Sequence, residues 1–406
     1  MTVPIEGFVH PDFKPVRRAL KNMLKDTRGG AAVTVYHRGR CVADIWGGLK
    51  DEQGNPWEKD TASVSFSTTK GVSSTALHVL ADRGLLRYDD PVCKHWPEFA
   101  QSGKEEITIR HVLCHQAGLY NIRELVDDAG RMLDWEHMTE KLAAAAPSKE
   151  ARTRSAYHGL TYGWLVGEIV RRIAKKPFSE FIRDELAKPL GLDGLYIGAP
   201  PEALRQAARL VQMGDVLRKR SGRGGSPDKK KQMERRVSTV QGILRFFGVP
   251  LNARRTQAAL APRGISNFDF SSDEVLKASI PAANGLFTAR SLARLYGMLA
   301  GKGELEGTRL VSEKTVWALN EIQTTDFDRV VPIPMHWRLG YHRAWTTRGS
   351  PRKAFGHYGF GGSGAWCDPE RNLSCALVLN SGVGTPFGDI RTARIGGVAL
   401  ACANGR

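Results

Sequence analysis

Residues 63–84 read SVSFSTTKGVSSTALHVLADRG, with Ser67 and Lys70 three positions apart. Val72, Ala76, Val79 and Leu80 recur at helical steps and Gly84 supplies a stop, so a helix with one apolar stripe is expected to begin at Ser67. A serine at a helix N-terminus meets the positive end of the dipole, which favours negative charge developing on its oxygen. Lys70 falls on the same face one turn on, within reach of the hydroxyl. An amine activates a serine only where desolvation or a positive neighbour lowers its pKa. An ordinary N-cap serine followed by a surface lysine has the same spelling, so the tetrapeptide needs support from elsewhere in the chain.

Two further segments supply it. Tyr157, in SAYHGLTYGWLVGEIVRRIAKK, precedes an amphipathic helix beginning near Leu160, which puts the phenol on a loop or helix start. Beside the Lys70 ammonium it is expected to persist as a tyrosinate; a ring packed on the core with a wet hydroxyl is the plainer alternative. His357-Tyr358-Gly359 lies in AFGHYGFGGSGAWCDPERNLSCALVLN. A strand carrying a glycine lets a substrate approach the backbone and offers an N–H to an oxyanion.

Outward from these motifs, both chain ends read as β-structure. Ala31–His37 and Cys41–Trp46 flank an Arg38-Gly39-Arg40 turn, and Phe355–Gly361, Ala365–Cys367 and Leu373–Leu379 alternate as strands. Thr68 to about Lys188 is helical in pattern, as is Pro386–Ala403. The expected architecture is an α/β (α+β) fold, a mixed antiparallel sheet flanked by helices. Residues 1–65 and 275–406 form it, and residues 66–274 form an inserted, mostly helical domain.

Ser67-x-x-Lys70, Tyr157-x-Gly159 and His357-x-Gly359, in this order, resemble the serine β-lactamase and penicillin-binding protein superfamily. The chain is most similar there to the class C β-lactamase-like family VIII carboxylesterases. Ile109–Leu119 (IRHVLCHQAGL), Ala283–Arg294 (ANGLFTARSLAR), Gly356–Gly364 and Asp368-Pro369 extend the likeness over roughly residues 29–380. The resemblance implies a β-lactamase-like fold, with Ser67 as nucleophile and Lys70 with Tyr157 as the general-base system that later activates the deacylating water. It implies an oxyanion hole from the backbone N–H groups of Ser67 and Phe360, and a substrate-binding surface at His357, Gly359 and Gly159. Gly159 stands where penicillin-recognising members carry Asn, and His357 where β-lactamases carry the lysine of K-T-G. Both departures favour a simple ester, although a protonated His357 would still hold a carboxylate. The activity implied is a serine carboxylesterase acting on small, short-acyl esters without metal or organic cofactor. A β-lactamase, a D-aminopeptidase or an acyltransferase would use the same residues, and an inactive binding or scaffold protein is the remote alternative.

Other patterns carry less. Gly359-x-Gly361-x-x-Gly364 matches the dinucleotide fingerprint but reads on into strand rather than helix. Gly361–Ala365 misses the G-x-S-x-G elbow by its last residue, leaving Ser363 as a turn serine. His111 and His115 lack a clear third ligand for a metal. Of the nine tryptophans most are expected in the core, with Trp337 or Trp345 lining an acyl pocket.

Composition bounds the rest. The 406 residues are 41% hydrophobic and 25% charged, which excludes disordered, collagenous and coiled-coil classes. The N-terminal residues lack a secretory pattern, no stretch is apolar enough to span a membrane, and six scattered cysteines read as reduced thiols in a cytoplasmic protein. Of the net charge of +17, +7 falls in 218–236, RKRSGRGGSPDKKKQMERR, which reads as a solvated basic loop. It has no aromatic residues for base stacking, so nucleic acid is not an expected partner; the sequence sets no oligomeric state.

Overall fold

The computed structural model describes residues 3–211, 253–331, 333–382 and 389–405; the basic run 218–236 lies outside the described residues. Both chain ends build one antiparallel seven-stranded sheet. Its order is Glu6–Val9, Arg40–Gly48, Gly30–His37, Leu373–Leu379, Gly364–Asp368, Phe355–Tyr358 and His342–Arg343. Arg38 (φ 54°) and Gly39 (φ 73°) make the first hairpin a two-residue turn with both central residues left-handed, the kind whose twist matches the strands it joins.

Side chains alternate across this sheet with a period of two, and the alternation decides where the site lies. Val33, Val35, Tyr358, Trp366, Cys375 and Leu377 pack into one core with the helices Lys14–Lys25 and Ile390–Asn404. Ala32, Tyr36, Phe355, Cys367, Ala376 and Val378 join a larger core on the other face, shared with the helix Ala289–Ala300 and the helical region. Residue 357 has the parity of Phe355, so His357 faces the helical region and Tyr358 faces away from it. Gly396, within the C-terminal helix, lets the helix settle against the Trp366 indole, which a Cβ there would crowd.

Between the chain ends the structure is less continuously helical than the sequence pattern suggests. The helices Ile109–Leu113, Trp135–Ala144 and Thr161–Ala174 are separated by 3₁₀ turns and irregular stretches, because loops here are themselves packed into the core. A small sheet of Ser63–Val64, Leu286–Phe287 and Leu195–Tyr196 delivers the chain to Ser67.

The helix Thr69–Asp82 departs most from expectation. Instead of presenting one apolar stripe, every residue from Thr69 to Leu80 is buried. Its polar side chains are satisfied internally: Ser73 Oγ donates to Pro281 O (2.6 Å), Ser74 Oγ meets Tyr162 OH (2.7 Å) and Thr75 Oγ1 meets Tyr341 OH (2.7 Å). Each partner is distant in sequence, and buried hydroxyls are tolerated only with such partners. Among the described residues no helix is long and apolar enough to cross a membrane, and all six cysteines are free.

Candidate active site

Ser67 sits in a 3₁₀ turn, Phe66–Thr68, and the α-helix proper starts at Thr69. Phe66 adopts φ 43°, a left-handed conformation that costs a phenylalanine about 1 kcal/mol or more. Its ring is anchored by edge contacts to Phe270 (5.2 Å between centroids) and Phe360 (5.4 Å), which hold the strained residue in place. The end of the strand Phe355–Tyr358 lies directly on this turn. Thr68 Oγ1 donates to Ser363 O (3.0 Å), and a Cβ at residue 359 would collide with Ser65 O, so only glycine fits there. Among the described residues neither the Ser67 nor the Phe360 backbone N–H has an acceptor, and the Phe66–Phe360 contact brings the two segments together.

Lys70 is fully buried. Its Nζ lies 2.7 Å from Gly159 O, 3.0 Å from Ala282 O and 3.0 Å from Ser67 Oγ, and among the described residues it has no carboxylate partner. Burial alone drives its pKa well below the ordinary lysine value of 10.5. Tyr157 donates its hydroxyl to Ser67 Oγ at 2.7 Å. The expected tyrosinate is not what these surroundings favour: burial pushes the phenol up, Asp328 adds to the effect, and the ammonium meant to offset it is itself driven toward the free amine. The hydroxyl is therefore protonated at neutral pH.

Three consecutive backbone N–H groups fix the tyrosine loop. Ala156 N donates to His115 O (2.9 Å), Tyr157 N to Asp328 Oδ1 (3.0 Å) and His158 N to His115 Nδ1 (3.1 Å). His115 takes φ 58° just beyond the helix Ile109–Leu113, so it does not share a helix face with His111. Its ring packs 4.2 Å from Trp337 and 4.9 Å from Tyr157. Among the described residues no group of three or more His, Cys, Asp or Glu side chains is placed to hold a metal ion.

The remaining sequence candidates are placed as follows. His357 is buried, with Nδ1 3.2 Å from Tyr358 O and Nε2 unpartnered. Burial, with His342 and Lys70 nearby, pushes its pKa well down, so it is a neutral imidazole and not the cation that would hold a carboxylate. The Gly159 carbonyl serves Lys70, and Leu260 and Ala259 press so closely on its Cα that a side chain there would collide with them. Trp337 is buried and stacked on Tyr157, 5.6 Å between centroids and 7° between planes. Trp345 packs instead on Tyr358, on the opposite face of the strand from His357. Gly359–Gly364 runs through a 3₁₀ turn into the strand Gly364–Asp368, and Ser363 Oγ bonds to Leu379 as a buried turn serine.

Sequence reasoning missed Asp328 and the loop-fixing role of His115. His115 lies within the Ile109–Leu119 segment, which does not name its partners, and no motif surrounds Asp328.

Comparison with known proteins adds to this geometry. A family model described as Beta-lactamase matches residues 16–400. "Esterase/beta-lactamase LipL" of Mycobacterium tuberculosis is 38% identical over 381 residues, covering 92% of this chain and 82% of that protein. Among solved structures, a penicillin-binding protein homologue from Caulobacter crescentus superposes with a TM-score of 0.84 at 32% identity, covering 98% of this chain and 100% of that one. A family VIII carboxylesterase superposes with a TM-score of 0.80 at 31% identity, with coverage of 98% and 100%.

Proposed function

We propose that this chain, which belongs to the beta-lactamase family, is a serine esterase that cleaves small, short-acyl carboxylic esters through an acyl-enzyme on Ser67. The observation that carries the reading is the position of Ser67 Oγ, 3.0 Å from the Lys70 amine and 2.7 Å from the Tyr157 hydroxyl. A neutral amine has two N–H groups and one lone pair. Donation to the Gly159 and Ala282 carbonyls uses both hydrogens and leaves the lone pair for the Ser67 proton.

Lys70 is then the base that accepts this proton as Oγ attacks the ester carbonyl. Tyr157, sharing the same Oγ, gives its hydroxyl proton to the departing alcohol and is reprotonated from Lys70, so the pair ends as it began. Water next enters, the pair takes one of its protons and returns it to Ser67 Oγ as the acyl bond breaks, and the acid leaves with Ser67 restored. The N–H groups of Ser67 and Phe360 receive the carbonyl oxygen as it gains charge, a donor of this kind being worth about 10²–10³ in kcat. His357, buried beside the Tyr157 ring, backs the substrate-binding surface, and Gly359 keeps the strand close to the nucleophile. The lobes of residues 1–65 with 275–406 and of 66–274 flank the substrate; neither a metal nor an organic cofactor takes part. The six free thiols support the cytoplasm as the compartment.

Turnover of β-lactams by the same serine is the second reading, favoured by the double name of the Mycobacterium tuberculosis relative. The closeness of Leu260 to Gly159 and the lowered pKa of His357 speak against it, since Gly159 has no room for a side chain toward a β-lactam's amide and His357 is not a cation for its carboxylate.

A panel of p-nitrophenyl esters, nitrocefin and a fluorophosphonate probe decides between them. Short-chain esters are expected to turn over well ahead of nitrocefin, with the probe's adduct on Ser67 and neither reaction in Ser67→Ala. Comparable nitrocefin turnover would reverse the order of the readings, and an unlabelled Ser67 would remove the enzyme reading altogether.

A further inference from the structure

We propose that Asp328 is a positioning residue for this reaction, a carboxylate that clamps Tyr157 at two points, at its backbone directly and at its ring through the Trp337 indole. This rests on the reading of Tyr157 as a partner of Ser67. Asp328 lies 171 residues from Tyr157 in the chain and is 1% exposed. Its Oδ1 accepts from Tyr157 N (3.0 Å), Val330 N (2.8 Å) and Val331 N (2.9 Å), and its Oδ2 accepts from Trp337 Nε1 (3.1 Å). The Trp337 ring so oriented lies parallel to the Tyr157 ring, 7° between planes. One side chain therefore sets both the height of the tyrosine's backbone and the plane of its phenol, whose oxygen must reach Ser67 Oγ.

The chemistry of the four contacts argues for a charge rather than a neutral acid. All four partners are donors, so a protonated carboxyl would present its O–H to a group with nothing to accept it. Burial raises the Asp328 pKa, and the four N–H groups work against that rise. An uncompensated buried carboxylate is costly, and here the N–H groups of Tyr157, Val330, Val331 and Trp337 compensate it. Of these four bonds, two hold the turn at Val330 and Val331 and two reach Tyr157 and Trp337.

The two oxygens have separate duties, which makes the clamp divisible by mutation. In Asp328→Asn the side-chain oxygen serves the three backbone N–H groups in only one orientation, and that orientation turns the amide NH₂ against the Trp337 N–H. Trp337→Phe keeps an aromatic ring on Tyr157 and removes that donor.

The experiment measures kcat and KM for a short p-nitrophenyl ester, together with the rate of fluorophosphonate labelling at Ser67. The proteins are wild type, Asp328→Asn, Trp337→Phe and the double variant, each with its melting midpoint. Asp328→Asn is expected to lose about tenfold in kcat and in labelling rate with KM within twofold, Trp337→Phe to lose less, and the double variant to lose no more than Asp328→Asn alone, since both substitutions break the same bond. A kcat for Asp328→Asn equal to wild type overturns the proposal, as does a double variant whose loss is the product of the two single losses. Should Asp328→Asn fail to fold, Trp337→Phe reads the ring half of the clamp: a lowered kcat at unchanged KM supports it, and wild-type kcat overturns it. Labelling of wild type against Ser67→Ala tests the esterase reading separately, because the clamp is read from ratios between variants.

Discussion

Lys70 and Glu168 are both fully buried, one on each of two neighbouring helices of the same region, and their surroundings treat them in opposite ways. Glu168 accepts from Arg171 (2.7 and 2.8 Å), Arg172 (2.7 Å) and the Trp135 indole (2.8 Å). Burial alone would raise its pKa, but these partners outweigh burial and leave it below the usual glutamate value. Lys70 meets only carbonyl and hydroxyl oxygens, and nothing offsets its desolvation. A buried charge given partners of opposite sign is a structural joint; a buried charge denied them has its proton affinity altered, which is what a general base needs.

Lys70→Met draws this contrast most sharply. It is expected to lower kcat/KM for a short ester by at least ~10³-fold while leaving the protein at least as stable as wild type at pH 7, measured by denaturant unfolding. A large loss of stability would mean that Lys70 is a joint like Glu168. Next in size, Tyr157→Phe should cost ~10²-fold or more in kcat with a normal melting curve, since only a hydroxyl is removed.

Glu168→Gln should do the converse, reducing stability by about 3 kcal/mol with kcat of the folded enzyme unchanged, because it leaves Arg171 and Arg172 without their buried partner. The smallest effects are in pH dependence. The Glu168 contribution is present above the ordinary glutamate pKa of 4.5 and fades as pH falls through its depressed folded value, so wild type and Glu168→Gln should converge in acid. For Lys70 the folded state binds fewer protons than the unfolded chain, so wild type should gain stability relative to Lys70→Met as pH rises toward 10.5. Both differences are expected to grow as pH rises but in separate windows, below about pH 4.5 for Glu168 and toward pH 10.5 for Lys70, and a Lys70 comparison that stays flat up to pH 10.5 would erase the distinction.

How far all this was legible from sequence depends on range. The hairpin at Arg38-Gly39, the strand Leu373–Leu379 and the helix from Thr161 follow from local alternation and periodicity, and the structure has them. The Ser67–Lys70 pair follows from their three-residue spacing, and the resemblance to the β-lactamase superfamily implies Tyr157 beside them. The state of those groups follows from neither. The surroundings disfavour the expected tyrosinate because burial, which depends on the whole fold, raises the phenol and lowers the neighbouring amine. The buried polar face of Thr69–Asp82 was illegible because its partners, Pro281, Tyr162 and Tyr341, come from elsewhere in the chain. Asp328 was illegible for the same reason, since nothing near residue 328 signals that its carboxylate ends against Tyr157.

The central pair of the sheet carries one more consequence. Gly30–His37 pairs with Leu373–Leu379, and Gly30 N bonds to a side chain 350 residues further on. During synthesis the first hairpin therefore waits, with one long strand edge unpaired, until nearly the whole chain has emerged, and contacts so distant in sequence close slowly. The nucleophile turn is made early, but Gly359 and the Phe360 N–H reach it only in the last stages of translation. A chain interrupted before residue 355 holds Ser67, Lys70 and Tyr157 but lacks Gly359 and Phe360, so the site as proposed is complete only when the final strands add to the first ones.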